Sequence, residues 1–79
     1  MNSKFGQRNI KLVAQFEATA ESADGVSWYV LVETNINGDQ RDHDEGPMSL
    51  DDCLNRVYEN SQNHMAAIEA AVEEMRNGV

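Results

Sequence analysis

The chain is short of most of what small proteins use to build chemistry. It has one cysteine, Cys53, among 79 residues. A lone cysteine excludes an intramolecular disulfide and a multi-thiolate zinc site, and it fits a reducing compartment better than secretion. Proline occurs once, at Pro47, and the five glycines are scattered, so there is no glycine-rich phosphate loop. The two histidines, His43 and His64, lie far apart. The longest uninterrupted apolar run is Trp28 to Val32, far below the ~18 residues of a membrane-spanning helix. Residues 1–6 lack the apolar core of a signal peptide, so the expected location is the cytoplasm.

Positive charge is also scarce. Six Lys and Arg face fourteen Asp and Glu, for a net charge of −8. Residues 1–25 balance Lys4, Arg8 and Lys11 against Glu17, Glu21 and Asp24, so the excess acid falls in residues 26–79. Such a surface repels phosphate, which argues against direct binding to nucleic acid. It attracts a basic partner, and it also keeps a small protein soluble.

What the chain does have is pattern. Asn9 to Glu21 alternates: Ile10, Leu12, Ala14, Phe16, Ala18 and Ala20 share one parity, while polar residues take the other, with Val13 the apolar exception. A period of two predicts a strand with one buried face. Ser22-Ala23-Asp24-Gly25 predicts a turn. A second strand follows, with Val26, Trp28, Val30, Val32 and Ile36 on the core parity and Tyr29, Leu31, Glu33 and Asn35 on the outer one. Asn37-Gly38 is a hairpin turn signal. Gln40 to Glu45 reads as a polar edge strand or as a loop, and Gly46-Pro47 is expected to break any strand.

Ser49 is a good helix N-cap, with Asp52 three residues on. Leu50, Leu54, Tyr58, Ser61, Met65, Ile68, Val72 and Met75 follow at helical spacing, and Asn77-Gly78 is a stop signal. Residues 59–63 are polar and poor in helix formers, which favours two helices, 50–59 and 62–77, over one long helix. The expectation is one domain over residues 1–79. An antiparallel meander of two to three strands over 9–45 precedes one long or two shorter C-terminal helices over 49–77, packed on one sheet face in an α+β fold.

Candidates for chemistry are few. Asp39, Asp42, His43, Asp44 and Glu45 form an acidic run, but placing Gly46 at the glycine of a calcium-binding EF-hand loop puts Arg41 at its first ligand position. His43 and Asp44 have no nucleophile or oxyanion donor beside them. Cys53 sits next to Asp51 and Asp52, which disfavour a thiolate, so it reads as a packing residue. No metal or cofactor is expected, and the chain reads as no enzyme. Tyr29, with Leu31 and Glu33 on the outer sheet face, has the make-up of an interface centre, and Asp42, Asp44 and Glu45 would add charge to it.

Three runs carry a resemblance: Val32-Glu33-Thr34-Asn35-Ile36-Asn37-Gly38, Arg41-Asp42-His43-Asp44, and Ile68-Glu69-Ala70-Ala71-Val72-Glu73-Glu74-Met75. In this order they are similar to successive pieces of small phage-encoded type I-F anti-CRISPR proteins. The resemblance implies a similar sheet-then-helix fold and a non-catalytic inhibitor. Such an inhibitor binds the backbone subunits of a CRISPR surveillance complex through one sheet face, with Glu33 at a contact position. Where that family carries contact tyrosines, this chain has Arg8 and Ser22. The functional expectation is a phage or prophage accessory protein that binds a host protein or protein complex, without membrane or direct nucleic-acid contact. The alternatives are an acidic mimic of DNA occupying a nucleic-acid-binding protein, and a small homodimeric adaptor paired through its C-terminal helix.

Overall fold

The structure, a computed structural model, describes residues 11–78. Three strands, β1 (Ala14–Ser22), β2 (Trp28–Ile36) and β3 (Asp39–Met48), form an antiparallel sheet in the order β1-β2-β3. One helix, α1 (Leu50–Asn77), covers one face of this sheet, giving the expected α+β fold. No helix among the described residues is long and apolar enough to cross a membrane. Asn9 and Ile10, the expected start of β1, lie outside the described residues.

From Phe16 to Ala20 and from Trp28 to Val32 the alternation places the side chains as its parity requires, whereas Leu12, Ala14 and Val26, expected on the core side, are exposed. Val30 and Val32 are fully or almost fully buried under the helix, together with Cys53 from α1. Phe16, Ala18, Ala20, Trp28, Met48 and Val57 pack around these three. Burial also pushes the Cys53 thiol pKa above its ordinary value, with the charge of Asp52 adding to the effect, so the sulfur stays protonated and inert.

Both turns have visible causes. Asn37 and Gly38 have φ values of 54° and 91°, both positive as a two-residue hairpin of primed type needs. The β1–β2 connection is longer than its sequence suggests, because Val26 and Ser27 belong to the loop and Val26 is exposed. Asp24 organises that loop: its Oδ1 accepts the amides of Val26 and Ser27, each at 2.9 Å. The Ser27 amide, then that of Val26, then the Ser22 hydroxyl hold the Asp24 carboxyl pKa below its usual range.

Three expectations are corrected. Gly46-Pro47 does not end β3, which runs through both residues to Met48. Between Trp28 and Val30 the register slips: Val30 pairs with Glu45 and Trp28 with Met48, so Gly46 and Pro47 together oppose Tyr29 in a bulge. The extra residue lets both Glu45 and Met48 face inward, and Pro47 is tolerated because β3 is an edge strand. The helix, second, is single and continuous for 28 residues. The polar stretch expected to break it satisfies itself within the helix: Asn60 Nδ2 donates to the Arg56 carbonyl at 2.8 Å and Ser61 Oγ to the Tyr58 carbonyl at 2.7 Å. Third, the stripe that begins Leu50, Leu54, Tyr58 does not face the sheet. The buried face lies about a quarter-turn away and consists of Cys53, Asn60 and His64 with Val57. Leu50, Leu54, Tyr58 and Met65 are exposed.

Candidate functional site: the outer sheet face

The helix occupies one face of the sheet, and nothing among the described residues covers the other. Strand register fixes what that open face shows. Glu21 lies opposite Tyr29, and Thr19, Leu31 and Asp44 form one transverse row. The next row is Glu17, Glu33 and Asp42, three carboxylates directly opposite one another across three strands. Gln15, Asn35 and Gln40 close this end of the face. No strand residue here is Lys or Arg.

Like charges set directly across a sheet destabilise it by up to about 1 kcal/mol per pair. The Glu17–Glu33–Asp42 row holds two such pairs. In a chain with so small a core, this arrangement works against the fold, and it concentrates negative potential beside an apolar centre. That centre is Tyr29 and Leu31, 44% and 36% exposed. A shallow depression beside them is rimmed by Glu21 and Asp44.

Tyr29 is held by its neighbour. A Cβ built on Gly46 would lie 2.8 Å from the Tyr29 Cδ2 atom and 2.8 Å from the Trp28 carbonyl oxygen. The ring therefore rests against bare backbone, and the bulge that turns β3 also positions the aromatic residue.

The structure thus brings five of the six expected contact residues together: Tyr29, Leu31, Glu33, Asp42 and Asp44 share one face. The sixth, Glu45, is separated from them. It points toward the helix, where its carboxylate takes Arg56 Nε at 2.5 Å and Nη2 at 3.1 Å, Asn60 Nδ2 at 3.1 Å and His43 Nε2 at 2.9 Å. Arg56 also bonds Glu59. The Arg56 guanidinium, with help from Asn60 and His43, outweighs partial burial and holds the Glu45 carboxyl at about 2, against an ordinary value of 4.5. The same pairing raises the Arg56 pKa. Glu45 is therefore a clamp between β3 and α1, and the acidic run read as one patch is two. Asp42 and Asp44 face out, while Asp39, His43 and Glu45 face the helix side.

On that helix side, an open groove of about 720 Å³ separates β3 from the C-terminal half of α1. Asp39, Arg41 and His43 line it from the strand, and Arg41 pairs with Asp39 at 3.1 Å. His64 is buried, with its ring 5.4 Å from that of Phe16. Its helical spacing from Cys53, Val57 and Asn60 was the available sign. Among the described residues no group of three or more His, Cys, Asp or Glu is disposed to hold a metal ion.

Compared with protein-family models, with curated proteins and with solved structures, the chain finds no match in any of the three.

Proposed function

We propose that this chain is a non-catalytic binding protein that docks its outer sheet face onto a basic surface of a host protein or protein complex. The observation that carries the reading is an acidic face, free of Lys and Arg on its strands, centred on exposed Tyr29 and Leu31. Aromatic and aliphatic centres ringed by charge are where binding energy concentrates in protein interfaces, and the ring of charge speeds and orients the encounter. The resemblance to type I-F anti-CRISPR proteins supports a phage-derived inhibitor acting in the cytoplasm, with the protein backbone of a CRISPR surveillance complex as the partner class to examine first.

The like-charge row supplies a test with two opposed signs. Glu33→Gln is expected to raise the stability of the free chain by about 0.5 kcal/mol or more, by relieving repulsion from both neighbours. The same change is expected to weaken partner capture. Tyr29→Ala is expected to weaken capture by roughly tenfold or more, as for an interface anchor. Quantitative capture from host lysate, alongside thermal unfolding of each variant, reads both effects. Glu33→Gln and Tyr29→Ala both capturing as wild type would remove the reading. Salt separates it from a mimic of DNA, whose purely electrostatic binding collapses as ionic strength rises, whereas binding centred on Tyr29 and Leu31 persists.

A further inference from the structure

We propose that two copies of this chain join along β1, giving a continuous six-stranded antiparallel sheet with the two α1 helices side by side on one face. The two edges of the sheet differ. The β3 edge carries a bulge, Pro47 and a dense series of charges, the features that keep a strand edge from pairing. β1 is regular over its nine residues, with no proline and no bulge in its pairing. Nothing among the described residues covers its far side. The Asn37 amide donates to the Val13 carbonyl, which sets the phase of the strand. Phe16, Ala18 and Ala20 therefore turn their backbone groups to the open edge.

The midpoint of β1 is Ala18. A two-fold axis there sets Glu17 against Thr19 of the second copy, and Gln15 against Glu21, so no carboxylates face each other. Shifting the axis by one residue places Glu17 against itself or against Glu21. On the inner side the same register sets Phe16 against Ala20, large against small.

The helix leads independently to the same axis. Its exposed apolar residues lie on the flank away from Glu45 and β3, and therefore on the β1 side. Antiparallel pairing about Ser61 matches Leu54 with Ile68 and brings Tyr58 within one residue of Met65, with the small serine at the crossing. α1 runs opposite to β1. It starts beyond Met48, near the Ser22 end of β1, and its last turns bring Met75 to Asn37, beside the start of β1. Phe16 lies against His64, the two rings tilted by 33°. Ala18 lies about 7 Å from Phe16 along the strand, which is four to five helical residues and leads back to residues 59–60. The strand axis and the helix axis thus coincide within about two helical residues, roughly 3 Å. Because α1 sits over β1 and β2, two copies would place their helices about 10 Å apart, the distance at which helices pack.

The test uses the full chain. Light scattering at micromolar concentration is expected to give twice the 8.8 kDa chain mass. Thr19→Glu faces Glu17 of the second copy at two symmetric places and is expected to weaken the dimer about tenfold, while Thr19→Lys strengthens it. Ser61→Cys is expected to form a disulfide-linked dimer under mild oxidation, seen on a non-reducing gel. A folded monomer at micromolar concentration overturns the proposal. So does a dimer that ignores both Thr19 changes and leaves Ser61→Cys uncrosslinked.

Discussion

Replacing Gly46 with alanine is expected to destabilise the protein by roughly 2–4 kcal/mol and to release the Tyr29 ring. Two independent obstacles produce this effect. The Gly46 φ of 136° is a backbone conformation that side chains other than glycine's hardly reach. An added methyl would also meet the Trp28 carbonyl oxygen at 2.8 Å, and this oxygen is backbone and cannot swing away. Relief requires opening the bulge. That movement pulls Glu45 and Met48 out of their inward register and removes the surface on which Tyr29 rests. Thermal unfolding followed by circular dichroism measures the first effect, and the near-ultraviolet signal of the aromatic side chains measures the second. An unchanged midpoint would mean that the bulge is not held as described.

Glu45→Gln is the second change with a large expected effect. A carboxyl lowered from 4.5 to about 2 on folding corresponds to about 3 kcal/mol. The Arg56 side chain is 38% exposed, so screening reduces this to roughly 1–2 kcal/mol. The folded-state pKa lies below the unfolded one. The contribution is therefore complete above about pH 4.5 and is lost progressively as the pH falls toward 2. Glu45→Gln should lower stability at neutral pH and flatten its dependence on acid across that window. Denaturant midpoints of both proteins at neutral pH and at about pH 3 provide the comparison. Parallel loss of stability with acid in both would contradict the clamp.

Both effects centre on a short segment whose meaning the sequence hides. The parity of β1 and β2 could be read directly, because alternation over Phe16 to Ala20 and Trp28 to Val32 has one solution that buries the valines. The outer placement of Tyr29, Leu31 and Glu33 follows from the same parity. Ser49 as N-cap was equally plain, and its Oγ accepts the Asp52 amide at 3.1 Å. What escaped was everything that depends on a third element. A bulge leaves no periodic trace, so Gly46-Pro47 reads as a terminator and Glu45 falls with Asp42 and Asp44 into one acidic patch. The helix misleads for a related reason. Leu50, Leu54, Tyr58 and Met65 outweigh Asn60 and His64 on any scale of apolarity, yet the latter face the sheet, because Glu45 offers Asn60 a partner and Phe16 offers His64 a ring. Tertiary partners decide which stripe is buried, and local propensity does not contain them.

The helix side spends its polar groups internally, through Glu45, Arg56, Glu59 and Asn60. On the outer face Asp42 accepts from Gln40 Nε2 at 2.6 Å, but among the described residues none of its carboxylates pairs with a cation, and the Glu17–Glu33–Asp42 row opposes the fold that displays it. Under the proposed function, that repulsion is the stability given up to display a binding face.

Carboxyl footprinting of the chain alone and with its captured partner tests the docking face most directly. Water-soluble carbodiimide labels exposed acids, and mass spectrometry reads each site. Glu33, Asp42 and Asp44 are expected to lose reactivity on binding, while Glu73 and Glu74 near the end of α1 keep theirs. Protection of Glu73 and Glu74, with the sheet carboxylates labelled as before, would place the partner on the helix and contradict the outer face as the docking surface.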